Sequence, residues 1–393
     1  MTKHPQRWSV LAVLSLARIA MGYQFQVVAS LSPQLIDAFD ADYTTIGTLV
    51  GLYLLPGIVI ALPSGYLGAR LGEKRLSVVG LGLMTAGGIL AAVADTYALA
   101  VLARLVAGTG VVLQFVMMTK MVSEWFEGSE LVLAMGLYLN GWPIGISIAL
   151  VVQPVLADAT SWQFVMLTTG LVSGAALLMV AFLYHSPPDA PSASERPRGW
   201  VLQRRDLLLI TLAGWIWMFL NMGFVVIVSF APTLLSSRGM PFAEATTMVS
   251  LSVWLAVIAV PAGAYLASRI ARPDIVIIVC AAIGSVAIAL LPFSSIEVIL
   301  FTVMGLITFA SAGVITSLPI EVTNPGNRTQ ALGLFYTWWY LGLAAGPAIA
   351  GWGFDLTGKA DVSMLLAAAF TFLVLPTLIA FRMVQRAGGG AAG

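Results

Sequence analysis

Apolar residues in this chain come in long, nearly unbroken runs. They show neither the strict alternation of a half-buried strand nor the narrow apolar stripe of a helix on a soluble protein. The runs predict spans over 9–36, 44–67, 76–94, 97–121, 131–156 and 162–184, then 207–235, 245–268, 274–293, 296–320, 329–354 and 362–383. An α-helix needs about 20 such residues to cross a hydrocarbon core of about 30 Å. Six spans lie on each side of 185–206, a stretch with Pro187, Pro188, Pro191 and Pro197 among serines and four arginines. Without apolar periodicity, that stretch reads as a flexible polar linker. The expected architecture is an all-α membrane protein with twelve transmembrane helices. They form an N-terminal six-helix bundle over 1–184, a linker over 185–206 and a C-terminal six-helix bundle over 207–393.

The pattern is also written twice. Residues 104–147 align with 301–344 without a gap, pairing Gly108 with Gly305, Glu124 with Glu321, Trp142 with Trp339 and Gly145 with Gly342. Pro63-Ser64-Gly65 answers Pro261-Ala262-Gly263. Parallel repeats of spans are how many secondary transporters build a site at the membrane midplane, so the two bundles are expected to be pseudo-symmetric and solute transport is the first expectation.

Composition strengthens this reading. Only 9% of residues are charged and 59% are hydrophobic, whereas a soluble domain carries about 25% charge. The net charge of +1 and the lack of a basic run give no footprint for nucleic acid. Cys280 is the only cysteine, which excludes disulfides and cysteine-ligated metals, and no motif calls for a cofactor. The apolar stretch behind Lys3, His4 and Arg7 is too long for a cleaved signal and reads as a retained first span. With the N-terminus inside, the inward segments carry Arg70, Lys74, Arg75, the linker arginines, Arg269, Arg272, Arg328, Arg382 and Arg386. The outward turns carry only Arg238 and Lys359 and are mostly acidic. The positive-inside rule then places both termini in the cytoplasm. Asn327-Arg328-Thr329 matches a glycosylation acceptor by chance, because it falls on the same side.

Between spans two and three stands Gly65-Tyr66-Leu67-Gly68-Ala69-Arg70-Leu71-Gly72-Glu73-Lys74-Arg75. It resembles the cytoplasmic signature of the major facilitator superfamily, with small residues for close helix approach and cations for helix C-termini. Ala69 stands where that family usually has aspartate, and Glu73 where a basic residue is common. Arg104-Leu105-Val106-Ala107-Gly108-Thr109-Gly110 resembles the family's fourth-span motif. Gly141-Trp142-Pro143-Ile144-Gly145 half resembles the glycine-proline motif of drug/proton antiporters, with Trp142 in place of a glycine. The resemblance covers the whole chain. It implies alternating access, a functional monomer in the bilayer, a small-molecule substrate and, for a bacterial protein, the inner membrane. Gly65, Arg70, Gly72 and Lys74 would serve gating. The branches it is similar to include bacterial cyanate/nitrate permeases and organic-anion exchangers, and no motif singles one out.

Arg18 is the most informative side chain. It lies ten residues past Trp8, about 15 Å into the bilayer at 1.5 Å per residue. A charge there costs at least about 2.5–3.5 kcal/mol and should face protein or a wet cavity. It is read as a fixed cation for an anionic substrate, with capping of neighbouring carbonyls or snorkelling to the rim as alternatives. Gln26, within about 80° of Arg18 on the helical wheel, is a better cavity candidate than Gln24, and either could equally bond to a neighbouring helix. Gln114, Asn140 and Asn221 are either ligands or interhelical ties. Trp142, Tyr336 and Trp339 belong to aromatic clusters in the matching spans five and eleven that would wall a small-molecule site or simply pack. Arg104 is tied in the family to coupling, and equally could bond backbone across a helix contact. Lys120 either snorkels to the interface or, with an inward tilt, acts as a gate or second anion contact.

Every aspartate and glutamate falls in or near a predicted loop. That argues for exchange, facilitated diffusion or symport of a protonated substrate over a carboxylate relay. No nucleotide loop, His-Glu-x-x-His helix or Gly-x-Ser-x-Gly elbow occurs, so neither an ATP-driven pump nor an enzyme has residues to stand on. The readings that compete with an anion carrier are an efflux antiporter for lipophilic or cationic compounds and a non-transporting membrane receptor.

Overall fold

The structure is a computed structural model describing residues 6–126, 128–187, 202–270, 272–323 and 328–387. Regular structure among them is entirely helical. The helices are α1 (Arg7–Ser30), α2 (Ser32–Phe39), α3 (Tyr43–Leu52), α4 (Gly57–Leu71), α5 (Glu73–Ala92), α6 (Tyr97–Trp125), α7 (Gly128–Ala159) and α8 (Trp162–Leu183). They continue with α9 (Arg204–Ser237), α10 (Phe242–Ile270), α11 (Pro273–Leu290), α12 (Glu297–Leu306), α13 (Ala312–Ile315), α14 (Leu318–Glu321), α15 (Arg328–Thr357) and α16 (Ala360–Ala387). Among the described residues, eleven segments are long and apolar enough to cross a membrane. The twelfth is α15, whose many Trp, Tyr and Gly residues lower its hydropathy without shortening it. Part of the expected linker over 185–206 and of the tripeptide at 327–329 lies outside the described residues.

Three expected spans are broken. The first splits into α1 and α2 at Leu31, with Pro33 in the first turn of α2, where a missing N–H leaves nothing unpaired. Asp40, at φ 48°, ends α2 in the left-handed region. The second splits into α3 and α4, with Pro56 immediately before the first residue of α4. The tenth becomes α12, a 3₁₀ turn over Thr308–Ser311, α13 and α14.

The chain divides into two compact units. One is Met1–Ala41 with Leu52–Glu195, and the other is Asp42–Gly51 with Arg196–Gly393. Most of α3 therefore packs with the second unit. Within the bilayer, close packing rather than water exclusion holds helices together, and small residues permit it. In the first unit α1 and α7 touch backbone to backbone, for a Cβ on Gly22 would overlap the Trp142 carbonyl oxygen and one on Gly145 that of Ile19. The repeat reappears in space. Gly108 of α6 sits on the Tyr53 carbonyl and its counterpart Gly305 of α12 on the Ser252 carbonyl. The second unit's core runs through Ile216, Ile277, Phe335 and Phe381, all fully buried.

Candidate functional site: a ring-lined arginine in the first unit

Arg18 lies mid-way along α1, roughly 17 Å from its first residue at 1.5 Å per residue. It is only 5% exposed. Its guanidinium carbon is 4.3 Å from the ring centre of Phe115 on α6. The rings of Trp142 and Tyr138, both on α7, are at 5.3 and 5.6 Å. One Nη approaches the Met21 sulfur at 3.7 Å. Residues four apart share a helix face, so Tyr138 and Trp142 present both rings to one cation. The tight α1–α7 seam brings them there, with Gly141 against the Arg18 stem. A desolvated cation–π contact is worth about 2 kcal/mol, so these rings offset much of the cost of a charge at this depth. Rings engage a guanidinium through its faces, and its N–H groups lie in plane, in the fork that matches a carboxylate.

The second buried cation does different work. Arg104 on α6 donates to the carbonyls of Gln24 and Phe25 at 3.1 and 3.2 Å, and its guanidinium lies 4.4 Å from the Tyr53 ring centre. The Tyr53 hydroxyl is shared between the Met21 carbonyl and Gln24 Oε1, at 3.4 and 3.2 Å. The Gln24 amide donates to the Met84 carbonyl at 2.9 Å and to Thr169 Oγ1 at 3.4 Å. Gln153 donates to the Tyr23 carbonyl at 2.9 Å, and Gln114 to the Ala17 carbonyl at 3.3 Å. Helices α5, α6, α7 and α8 are thus all tied to α1 by buried polar bonds, which gives Arg18 a rigid mount.

The remaining candidates are distributed as follows. Gln26 is buried on α1, eight residues beyond Arg18, and Asn140 is half-buried on α7 between Tyr138 and Trp142. Asn221 donates to the Trp217 carbonyl of its own helix at 2.8 Å. Tyr336 and Trp339 sit in the second unit with ring centres 6.1 Å apart, in a cluster that includes Phe335 stacked on Trp217. Gly65 lies within α4. Gly72, at φ 86°, turns the chain from α4 into α5, a conformation that favours glycine. Arg70 is exposed, and Lys74 donates to the Tyr184 carbonyl at the end of α8 at 2.8 Å. Lys120 pairs with Glu73 and with Glu124, joining the end of α6 to the start of α5. Arg382 does likewise in the second unit, gripping Asp274 through two nitrogens and Glu321 at 2.7 Å. Every described carboxylate lies in a loop or within a turn of a helix end.

Of the rings at Arg18, Tyr138 and Trp142 belong to the fifth-span aromatics that could wall a site by sequence, whereas Phe115 is not among the residues singled out there. Tyr138 carried a signal, being one helical turn before Trp142. Phe115 carried none, because its place depends on how α6 crosses α1.

The model of the Major Facilitator Superfamily matches residues 14–347 and again 222–392. The chain belongs to that superfamily. Among relatives, the Escherichia coli inner membrane transport protein YajR is 25% identical over 92% of this chain and 81% of its own. The gallate transporter of Pseudomonas putida is 24% identical over 95% of this chain and 90% of its own. A match to an uncharacterized mycobacterial MFS-type transporter covers 47% of this chain and only 32% of that longer protein. The solved structure of a bacterial homolog of the human lysosomal transporter Spinster, inward-facing and occupied, has a TM-score of 0.74 at 14% identity. It covers 98% of this chain and 97% of that one, which establishes the shared fold. This is an integral membrane transporter of the superfamily and not an enzyme.

Proposed function

We propose that this transporter carries a small organic anion by alternating access, with Arg18 as the group that neutralises the cargo's carboxylate. The observation that carries this reading is a guanidinium buried at mid-helix among three rings, on a helix fixed by polar bonds from four neighbours. The P. putida relative's gallate is a small aromatic carboxylate, which agrees with a cation walled by rings. Carboxylates at helix ends only are suited to exchange, facilitated diffusion or co-entry of a proton on the substrate, not to a mid-membrane proton relay. Gln26, Asn140 and Trp142 in the first unit, with Asn221, Tyr336 and Trp339 in the second, are the further proposed cargo contacts. Lys120 and the segment from Gly65 to Lys74, which includes Arg70 and Gly72, would govern gating at the cytoplasmic side. The protein acts as a monomer in this reading, in a bacterial inner membrane with both termini in the cytoplasm.

The test is counterflow in proteoliposomes. Vesicles loaded with gallate, benzoate, galacturonate, nitrate or choline are diluted into medium containing the labelled counterpart. Saturable exchange of one or more organic anions, with none of choline, is the expected result. Exchange of choline alone would replace the anion reading with a cation one.

A further inference from the structure

The register that pairs 104–147 with 301–344 extends to the first helix of each unit. It aligns Arg7 with Arg204, Leu11 with Leu208, Ile19 with Ile216, Met21 with Met218 and Val28 with Val225. In that register Trp215 of α9 holds the place of Arg18, and Trp338 of α15 holds the place of Gly141, the residue against the Arg18 stem. The two indoles meet edge to face with ring centres 5.6 Å apart, and Gly214 leaves room for the Trp338 ring. Both lie well inside their helices, about 15 Å from the first residues of α9 and α15 at 1.5 Å per residue. Tryptophans of membrane spans gather instead at the interfaces, where water satisfies the N–H. Here the Nε1 atoms of both rings are buried and have no hydrogen-bond partner among the described residues. An edge-to-face pair lets at most one N–H point at the other ring, so the pair itself leaves at least one donor unanswered.

An indole N–H donates, cannot accept and carries no charge. Among the described residues of the second unit, every arginine and lysine lies within two turns of a helix end. The repeat thus sets a cation at one position of the first unit and neutral donors at the matching position of the second. Neutral donors suit an uncharged oxygen and cannot offset the desolvation of a carboxylate. The indole faces suit a flat ring beside that oxygen. Both side chains are only partly buried, so a modest rotation brings either nitrogen to a ligand. We propose that Trp215 and Trp338 form a second cargo subsite, in the second unit, whose indole N–H groups bind the ring hydroxyl oxygens of an aromatic acid. The inference rests on the organic-anion reading given above.

The experiment is equilibrium binding of labelled gallate and labelled benzoate to purified full-length protein, for wild type, Trp215→Phe, Trp338→Phe and Arg18→Gln. Both acids carry a carboxylate on a ring, and only gallate has ring hydroxyls. Wild type is expected to bind gallate at least about fivefold more tightly than benzoate, the worth of one neutral hydrogen bond. In one or both tryptophan variants that preference should shrink about fivefold, while Arg18→Gln weakens both acids. An unchanged preference in both tryptophan variants would overturn the inference, and so would an equal loss of both acids, which is what a packing role predicts. Equal affinity of wild type for the two acids would overturn it without any variant having to fold. Each of these results leaves the role of Arg18 standing if Arg18→Gln has lost binding. Undiminished binding in Arg18→Gln, or no binding of either acid to wild type, would sink the underlying reading and this inference with it.

Discussion

Replacing Arg104 separates a clamp from a coupling residue. Its guanidinium makes two charge-assisted bonds, to the Gln24 and Phe25 carbonyls. Such bonds are worth about 1.5–3 kcal/mol each, so a simple sum gives about 3–6 kcal/mol. Two corrections lower that figure. Both carbonyls lie inside α1, four residues short of Val28 and Ala29, and keep their ordinary helical N–H partners when the arginine goes. Removing a buried cation also removes its desolvation penalty, so an apolar replacement recovers part of the loss. We therefore expect Arg104→Met to destabilise the protein by about 2 kcal/mol, roughly a thirtyfold change in the folded-to-unfolded ratio. Lysine, a point charge able to reach one carbonyl, should recover about half of this. Denaturant unfolding in detergent micelles, followed by tryptophan fluorescence, measures both variants. If Arg104→Met unfolds within about 0.5 kcal/mol of wild type and yet abolishes exchange, the clamp account fails and Arg104 acts on cargo or coupling.

Three further outcomes follow from the packing. Gly145→Ala places a methyl group on the Ile19 carbonyl oxygen, so α7 must retreat from α1 and carry Trp142 away from Arg18. Overpacking of this kind costs about 1–3 kcal/mol, and anion affinity should fall with stability, whereas wild-type behaviour in both would refute the tight seam. In the second unit Asp355 accepts from the Tyr43 and Thr44 amides at 3.1 and 2.7 Å and from Thr44 Oγ1 at 2.5 Å, serving as a cap for α3. Asp355→Ala should cost about 0.5–2 kcal/mol and speed amide exchange at 43–46, and unchanged exchange there would count against the cap. Hydrogen bonds from Thr45, including its amide at 2.8 Å, hold the Asp42 carboxyl below its ordinary value of 3.8. A lowered folded pKa means that this stabilisation is complete above pH 3.8 and lost as pH falls through the folded value. Protection of the Thr45 amide should then be level from about pH 7 to about pH 5 and decline only in stronger acid, and an earlier decline would contradict the assignment.

The membrane class and the order of the helices were legible because hydropathy over some twenty residues is a local property. The breaks were less so. Pro33 and Pro56 stood in the sequence as signals, yet each lay inside an apolar run long enough to read as one span. The tenth span deceived differently, since it aligns without gaps to the fourth, but α6 is continuous where α12, α13 and α14 are broken. Equivalent residues therefore do not guarantee equivalent backbone. Arg18 could be singled out because a charge at mid-depth is expensive wherever its neighbours lie. Its exact surroundings could not, because Phe115 reaches it only through the way α6 crosses α1, and Tyr138 only through the α1–α7 seam at Gly22, Gly141 and Gly145. The same limit applied to Gln24 and Gln114. Their amides looked as suited to cargo as to neighbours, and the crossings put both on carbonyls of other helices.

The most direct test of the account is equilibrium binding of gallate and benzoate to wild type, Arg18→Lys and Arg18→Gln, each reconstituted in lipid nanodiscs. Loss of a charge-assisted pair predicts at least about tenfold weaker binding for glutamine, with lysine intermediate because an ammonium cannot bind a carboxylate through two parallel bonds. Affinities for Arg18→Gln equal to those of wild type would contradict it.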